Sequence, residues 1–147
     1  MKKEKEIGLG YIDLNGWIPG DKLYPTWMDE DNEEYAETSM DPEEDILPAG
    51  KYTLKITYPL SNPYIQTIDS EVPIKRKSLV ELIAVAYRYI YIVEKQSSEV
   101  APALIPGMLN RIQTNGTFGI WGHSLGDLML HTVYVDEDNV ITVDCDS

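Results

Sequence analysis

The 147-residue chain has one cysteine, one phenylalanine and two histidines, and only 12 basic residues against 25 acidic ones. A single cysteine, Cys145, excludes an internal disulfide. Such sparse cysteine usage points to a reducing compartment, and the expected location is cytoplasmic. The shortage of lysine and arginine leaves a formal charge of −13. That balance argues against a direct grip on a nucleic-acid backbone, where cations must displace counterions. No uncharged apolar run approaches about 18 residues, so no membrane span is expected. The charged start, Met1-Lys-Lys-Glu-Lys-Glu6, is not followed by the apolar run of a signal peptide, because Gly8, Gly10, Asp13 and Asn15 interrupt it. Gly8-x-Gly10 also lacks the third glycine and the preceding strand of a dinucleotide-binding turn.

What is present is unevenly spread. Residues 1–48 hold 4 basic and 14 acidic side chains, a net of −10, whereas residues 49–147 hold 8 and 11, a net of −3. The shift divides the chain into an acidic arm, 1–48, and a single domain, 49–147. In the arm, Asn15-Gly16 and Pro19-Gly20 are turn signals, and Tyr11, Ile12 and Leu14 suit a short strand. Trp17, Tyr24 and Trp27 are the arm's candidate binding residues. Aromatics of this size either pin the arm to the domain or dock a partner. Residues 29–45 then place 10 acidic residues in 17, with no basic one. Such a run repels itself and reads as a solvated or disordered loop. It lacks the central glycine and closing glutamate of a calcium loop.

Past Pro48-Ala-Gly50, the stretch Lys51–Tyr58 alternates almost strictly. Tyr52, Leu54, Ile56 and Tyr58 share one face, which predicts a half-buried strand. Tyr64 to Ile68 suits a second. Ser78 to Lys95 predicts one long helix, opened by a Ser78/Glu81 capping box. Leu79, Ile83, Ala86, Ile90 and Val93 recur at helical spacing, while Glu81, Arg88 and Lys95 form a narrow polar stripe. Tyr87–Val93 also alternates like a strand, but length and the cap favour helix. Ile92 lies beside the polar stripe and is a candidate for a further contact, so the helix also offers a homodimer surface. Met108 to Gln113 suits a short helix before the Asn115-Gly116 turn. Leu128–Val135 and Val140–Cys145 form a terminal hairpin, with Leu128, Leu130 and Tyr134 on one face. The expected fold is α+β: an antiparallel sheet, including part of 117–121, packed against one long, largely buried helix.

Chemistry concentrates in Thr117–Leu130, TFGIWGHSLGDLML. Gly122-His-Ser-Leu-Gly126 resembles the nucleophile elbow of α/β-hydrolases, in which a serine sits on a strained turn between strand and helix. The resemblance makes Ser124 a nucleophile candidate, with His123 and Asp127 beside it. It covers five residues and the apolar lead-in Phe118–Trp121. The chain departs from that family's pattern downstream, where no acid followed by a histidine lies beyond Ser124 at usable separation. The alternative is a tight, hydrogen-bonded corner anchored by Trp121 and Leu125. Asp144 and Asp146 flank Cys145, but with His123 or His131 they make no known metal spacing, and no cofactor motif is present.

Three functional classes follow. A non-catalytic acidic binding, adaptor or inhibitor-type protein would steer towards a basic protein partner. A small hydrolase would use Ser124, His123 and Asp127. An oligomeric structural component would use the 78–95 helix.

Overall fold

The computed structural model describes residues 4–14, 41–98, 103–104, 112–120 and 128–146. Its elements are β1 (Glu4–Asp13), β2 (Asp45–Leu47), β3 (Gly50–Ile56), β4 (Tyr64–Ser70), β5 (Ile74–Lys75), α1 (Arg76–Ser97), β6 (Ala103–Leu104), β7 (Ile112–Gln113), β8 (Met129–Asp136) and β9 (Val140–Asp146). The main sheet has the order β1-β8-β9-β3-β4, and two-stranded ribbons join β2 to β5 and β6 to β7. The fold is two-layer α+β, as the alternation and the helical spacing predict. The sheet is mixed, because β3 and β9 run parallel while its other neighbours are antiparallel.

The alternating residues of β3 behave as their periodicity dictates. Tyr52, Leu54 and Ile56 are buried under α1, with Ile141 and Val143 of β9, Val133 and Val135 of β8, and Ile7 and Leu9 of β1. From α1 the core receives Leu79, Val80, Ile83, Ala84, Ala86, Tyr87 and Ile90. Tyr87 carries a polar atom into this layer, and its hydroxyl donates to the Tyr58 carbonyl at 2.9 Å. Burial pushes the Tyr87 phenol far up, and nearby Cys145 adds to the shift. Cys145 shares the inner face with Ile141 and Val143, its sulfur 3.5 Å from that hydroxyl.

Four local expectations change. The helix begins at Arg76, with Lys75 as N-cap and no side-chain cap, so the Ser78/Glu81 box does not open it. Its first amides donate instead to a distant segment, Arg76 to the Glu44 carbonyl and Lys77 to that of Pro42, both at 2.9 Å. Residues 41–45, the end of the acidic run, are therefore tied to the start of α1 by their backbone while their acidic side chains stay exposed; the rest of the run, 29–40, lies outside the described residues. Lys77 and Lys75 add ion pairs to Glu43 at 2.7 and 3.5 Å. Ile112–Gln113 is strand rather than helix, because it pairs with Ala103–Leu104. Ile120 makes one isolated bridge to Leu60 and is not a strand of the main sheet.

The fourth change is one of phase. A bulge lies between Leu130 and Thr132, where β8 gains a residue against β9. Leu130 stays inside, but Val133 and Val135 then take the inner positions and Tyr134 turns to the open face. A second irregularity, between Gly8 and Ile12 of β1, uses Gly10 at φ 89°, a left-handed conformation that favours glycine. The turn from β8 to β9 is fixed by Asp136, whose carboxylate accepts from the Asp138 and Val140 amides at 2.8 and 3.0 Å.

Candidate functional site

The sequence candidates fall into two groups. Ser124, His123, Asp127 and their neighbours Trp121 and Leu125 lie outside the described residues, as do Trp17, Tyr24 and Trp27. Ile92 is described and lies on the outer side of α1, 57% exposed, beside Val85 at 45% and Tyr89 at 52%. Most of the helix is buried or half-buried, as expected, and these three apolar side chains stand on its exposed side beside Lys95 and Gln96.

The lead-in to the Ser124 stretch is described, and it is organised by a residue the sequence pattern passes over. Glu94 is 2% exposed. It continues the apolar row of Ile83, Tyr87 and Ile90, so its carboxylate enters the core layer near the end of α1. One oxygen accepts from the Phe118 and Gly119 amides at 2.8 and 3.2 Å. The other accepts from the Gly116 amide at 2.8 Å and from the Thr114 hydroxyl. Ser97 and Ser98 act alongside: their hydroxyls accept from the Thr117 and Asn115 amides at 2.9 and 3.4 Å. Thr114 and Ile120 close the loop on each other. Every backbone N–H from Thr114 to Ile120 therefore has a named acceptor, and most are side chains at the end of α1.

This arrangement explains the glycines. A Cβ on Gly116 would lie 2.8 Å from the Glu94 carboxyl carbon, and one on Gly119, at φ 63°, would lie 3.0 Å from Ser61. Burial pushes the Glu94 carboxyl up, but the bonds from Thr114, Phe118, Gly116 and Gly119 outweigh it and hold the pKa below its usual value. Such a carboxylate is ionised and already saturated with donors. Its chemistry is that of an anchor, and it has no spare lone pair for a proton from a substrate.

A different environment lies on the open face of the sheet. Glu4 stands opposite Asp136, Glu6 opposite Tyr134, and Thr132 opposite Asp144. Opposite residues in an antiparallel pair share a face, so the carboxylates of Glu4, Glu6 and Asp144 gather about one tyrosine, while that of Asp136 turns to the amides of the β8–β9 turn. Burial, then Glu6, Asp144 and Glu4, push the Tyr134 phenol up. His131, the extra residue at the bulge, places Nε2 3.9 Å from the Asp144 carboxylate and Nδ1 2.8 Å from the Thr132 hydroxyl. Asp144 thus meets His131; its relation to His123, Ser124 and Asp127 lies outside the described residues. Among the described residues, no three His, Cys, Asp or Glu side chains gather to hold a metal ion.

Sequence reasoning missed Glu94 because it searched for polar stripes, and Glu94 sits on the apolar one. A carboxylate at an apolar position of a helix was itself the available signal. The acidic face was hidden by the bulge, which reverses the expected side of Tyr134. Among the described residues, no helix is long and apolar enough to cross a membrane. No family model, curated protein or solved structure matches the chain.

Proposed function

We propose that this chain is a non-catalytic binding protein whose open sheet face receives a basic protein partner. The observation that supports it best is the gathering of Glu4, Glu6 and Asp144 around Tyr134. Like charges gathered on neighbouring strands repel, so Glu4, Glu6 and Asp144 on one face work against folding. A face kept at that cost suits arginine and lysine side chains, which can pair with the carboxylates and lie on the tyrosine ring. The overall charge of −13 would steer such a partner in and repel nucleic-acid phosphates.

The test is an array of arginine- and lysine-rich peptides probed with the full chain. The reading expects a retained subset whose binding falls as salt rises. The triple variant Glu4→Gln/Glu6→Gln/Asp144→Asn should lose it, while Ile92→Asp should keep it. Equal retention by the triple variant, or no retained peptide at low salt, overturns the reading.

A further inference from the structure

The outer side of α1 presents a separate surface. At about 100° per residue, Val85, Tyr89 and Ile92 fall in one narrow stripe opposite the buried seam. One flank of the stripe is in aromatic contact with the rest of the domain. The Tyr89 ring lies 5.9 Å from that of Tyr64, which in turn lies 6.1 Å from Phe118. The opposite flank carries charge, with Glu81 near one end and Lys95 near the other.

We infer that this stripe is the interface for a second copy of the chain, with the two α1 helices antiparallel. The pattern is self-complementary under a two-fold axis perpendicular to the helix near Arg88 and Tyr89. Reversal sets Val85 against Ile92 of the second copy and leaves the Tyr89 rings near the centre. An axis of this kind keeps each flank facing its own counterpart, so Glu81 meets Lys95 of the second copy at both ends. A parallel arrangement has no such pairing. Charge also selects this face for self-association. Beside the stripe, Glu81 stands against Arg88 and Lys95, a net of +1 in a chain of −13, so two copies meet there with little repulsion. One helix pair is a small interface, and the expected dimer is micromolar rather than nanomolar. The interface uses none of the residues that form the acidic sheet face, so both surfaces work at once and the dimer presents two acidic faces.

Sedimentation velocity of the full chain, from low to high micromolar concentration, tests the inference. The wild type should pass reversibly from monomer to dimer. Ile92→Asp or Val85→Asp should weaken the dimer by about tenfold or more, since each symmetric interface loses two apolar contacts. These side chains are exposed, and unchanged circular dichroism will show that the variants fold. Glu81→Lys and Lys95→Glu should each weaken the dimer a few-fold, and the double variant should recover it. A monomer at every concentration overturns the inference. So does a dimer indifferent to Ile92→Asp, or a double charge reversal with no recovery.

Discussion

The two ends of α1 each bury a charge, and they do so in opposite ways. Arg76 and Glu94 are 18 residues apart, about five turns, so both lie on the seam that faces the sheet. Both oppose the helix dipole, which favours anions at the start and cations at the end. At the first end Arg76 gathers acceptors from separate parts of the chain. It donates to the Gly8 carbonyl at 3.0 Å, the Asp41 carbonyl at 2.5 Å and the exposed Glu44 carboxylate at 3.1 Å. At the other end Glu94 gathers donors from one short loop. A buried cation here joins β1 and the 41–45 segment to the helix, whereas the buried anion shapes a loop. A guanidinium stays charged at any working pH while a carboxylate can be neutralised, so the two ends should fail under different stresses.

The largest effect should come from Glu94→Ala. It strips acceptors from three buried or half-buried amides and the Thr114 hydroxyl, and should cost about 3–5 kcal/mol in denaturant unfolding. A loss near that of an average surface substitution would show that the loop holds itself. Arg76→Met keeps the apolar stem and removes the donors. It should cost somewhat less, about 2–4 kcal/mol, because the carbonyls of Gly8 and Asp41 lose a partner while Glu44 returns to water. If it proves the costlier of the two, the joining role outweighs the shaping role.

The third prediction concerns pH. Glu94 has its pKa lowered on folding, so its contribution is complete above the unfolded glutamate value and is lost as pH falls through the folded one. Wild-type stability should therefore decline from about pH 5 downward, and Glu94→Gln should flatten that decline while lowering stability at neutral pH. An identical acid limb in both proteins would remove Glu94 as its source. The smallest effect belongs to the exposed pairs of Glu43 with Lys75 and Lys77. Glu43→Gln should shift the melting temperature little, and high salt should erase the difference. A shift that survives high salt would mean that these pairs act as buried ones.

Arg76 and Glu94 also show which parts of the fold the sequence makes legible. Periodicity alone locates the half-buried β3 strand, the terminal hairpin and the long helix, because burial on one face imposes a period on side chains. It does not reveal devices that depend on distant backbone. The helix start reads as Ser78 from local capping chemistry, but the carbonyls of Pro42 and Glu44 extend it back to Arg76. The face of Tyr134 follows from a bulge that adds one residue, which the alternation of Leu128–Val135 cannot announce. The apolar residues all around α1 imply burial on most sides, and among the described residues this holds except along the side of Val85, Tyr89 and Ile92. The excess at Val85, Tyr89 and Ile92 is what points to a second surface. For the candidate site, Ile92 was readable as a misfit beside a polar stripe. Glu94 was concealed because its partners are main-chain amides, which any sequence supplies.

The place of β9 has a consequence for the order of assembly. This strand lies between β8 and β3, and its neighbour β8 is in turn the partner of β1, so Glu4 must find Asp136. As the chain is synthesised, β3, β4 and α1 emerge long before β9 can cover the inner edge of β3, and β1 waits longest for a partner. Local hairpins can form early, but the sheet closes only through contacts between distant segments, which slows folding. Until then the nascent chain carries open strand edges, and the carboxylates of Glu4 and Glu6 lie on one of these strands. Charge of this kind discourages edge-to-edge association, so the acidity that burdens the finished sheet protects the unfinished one.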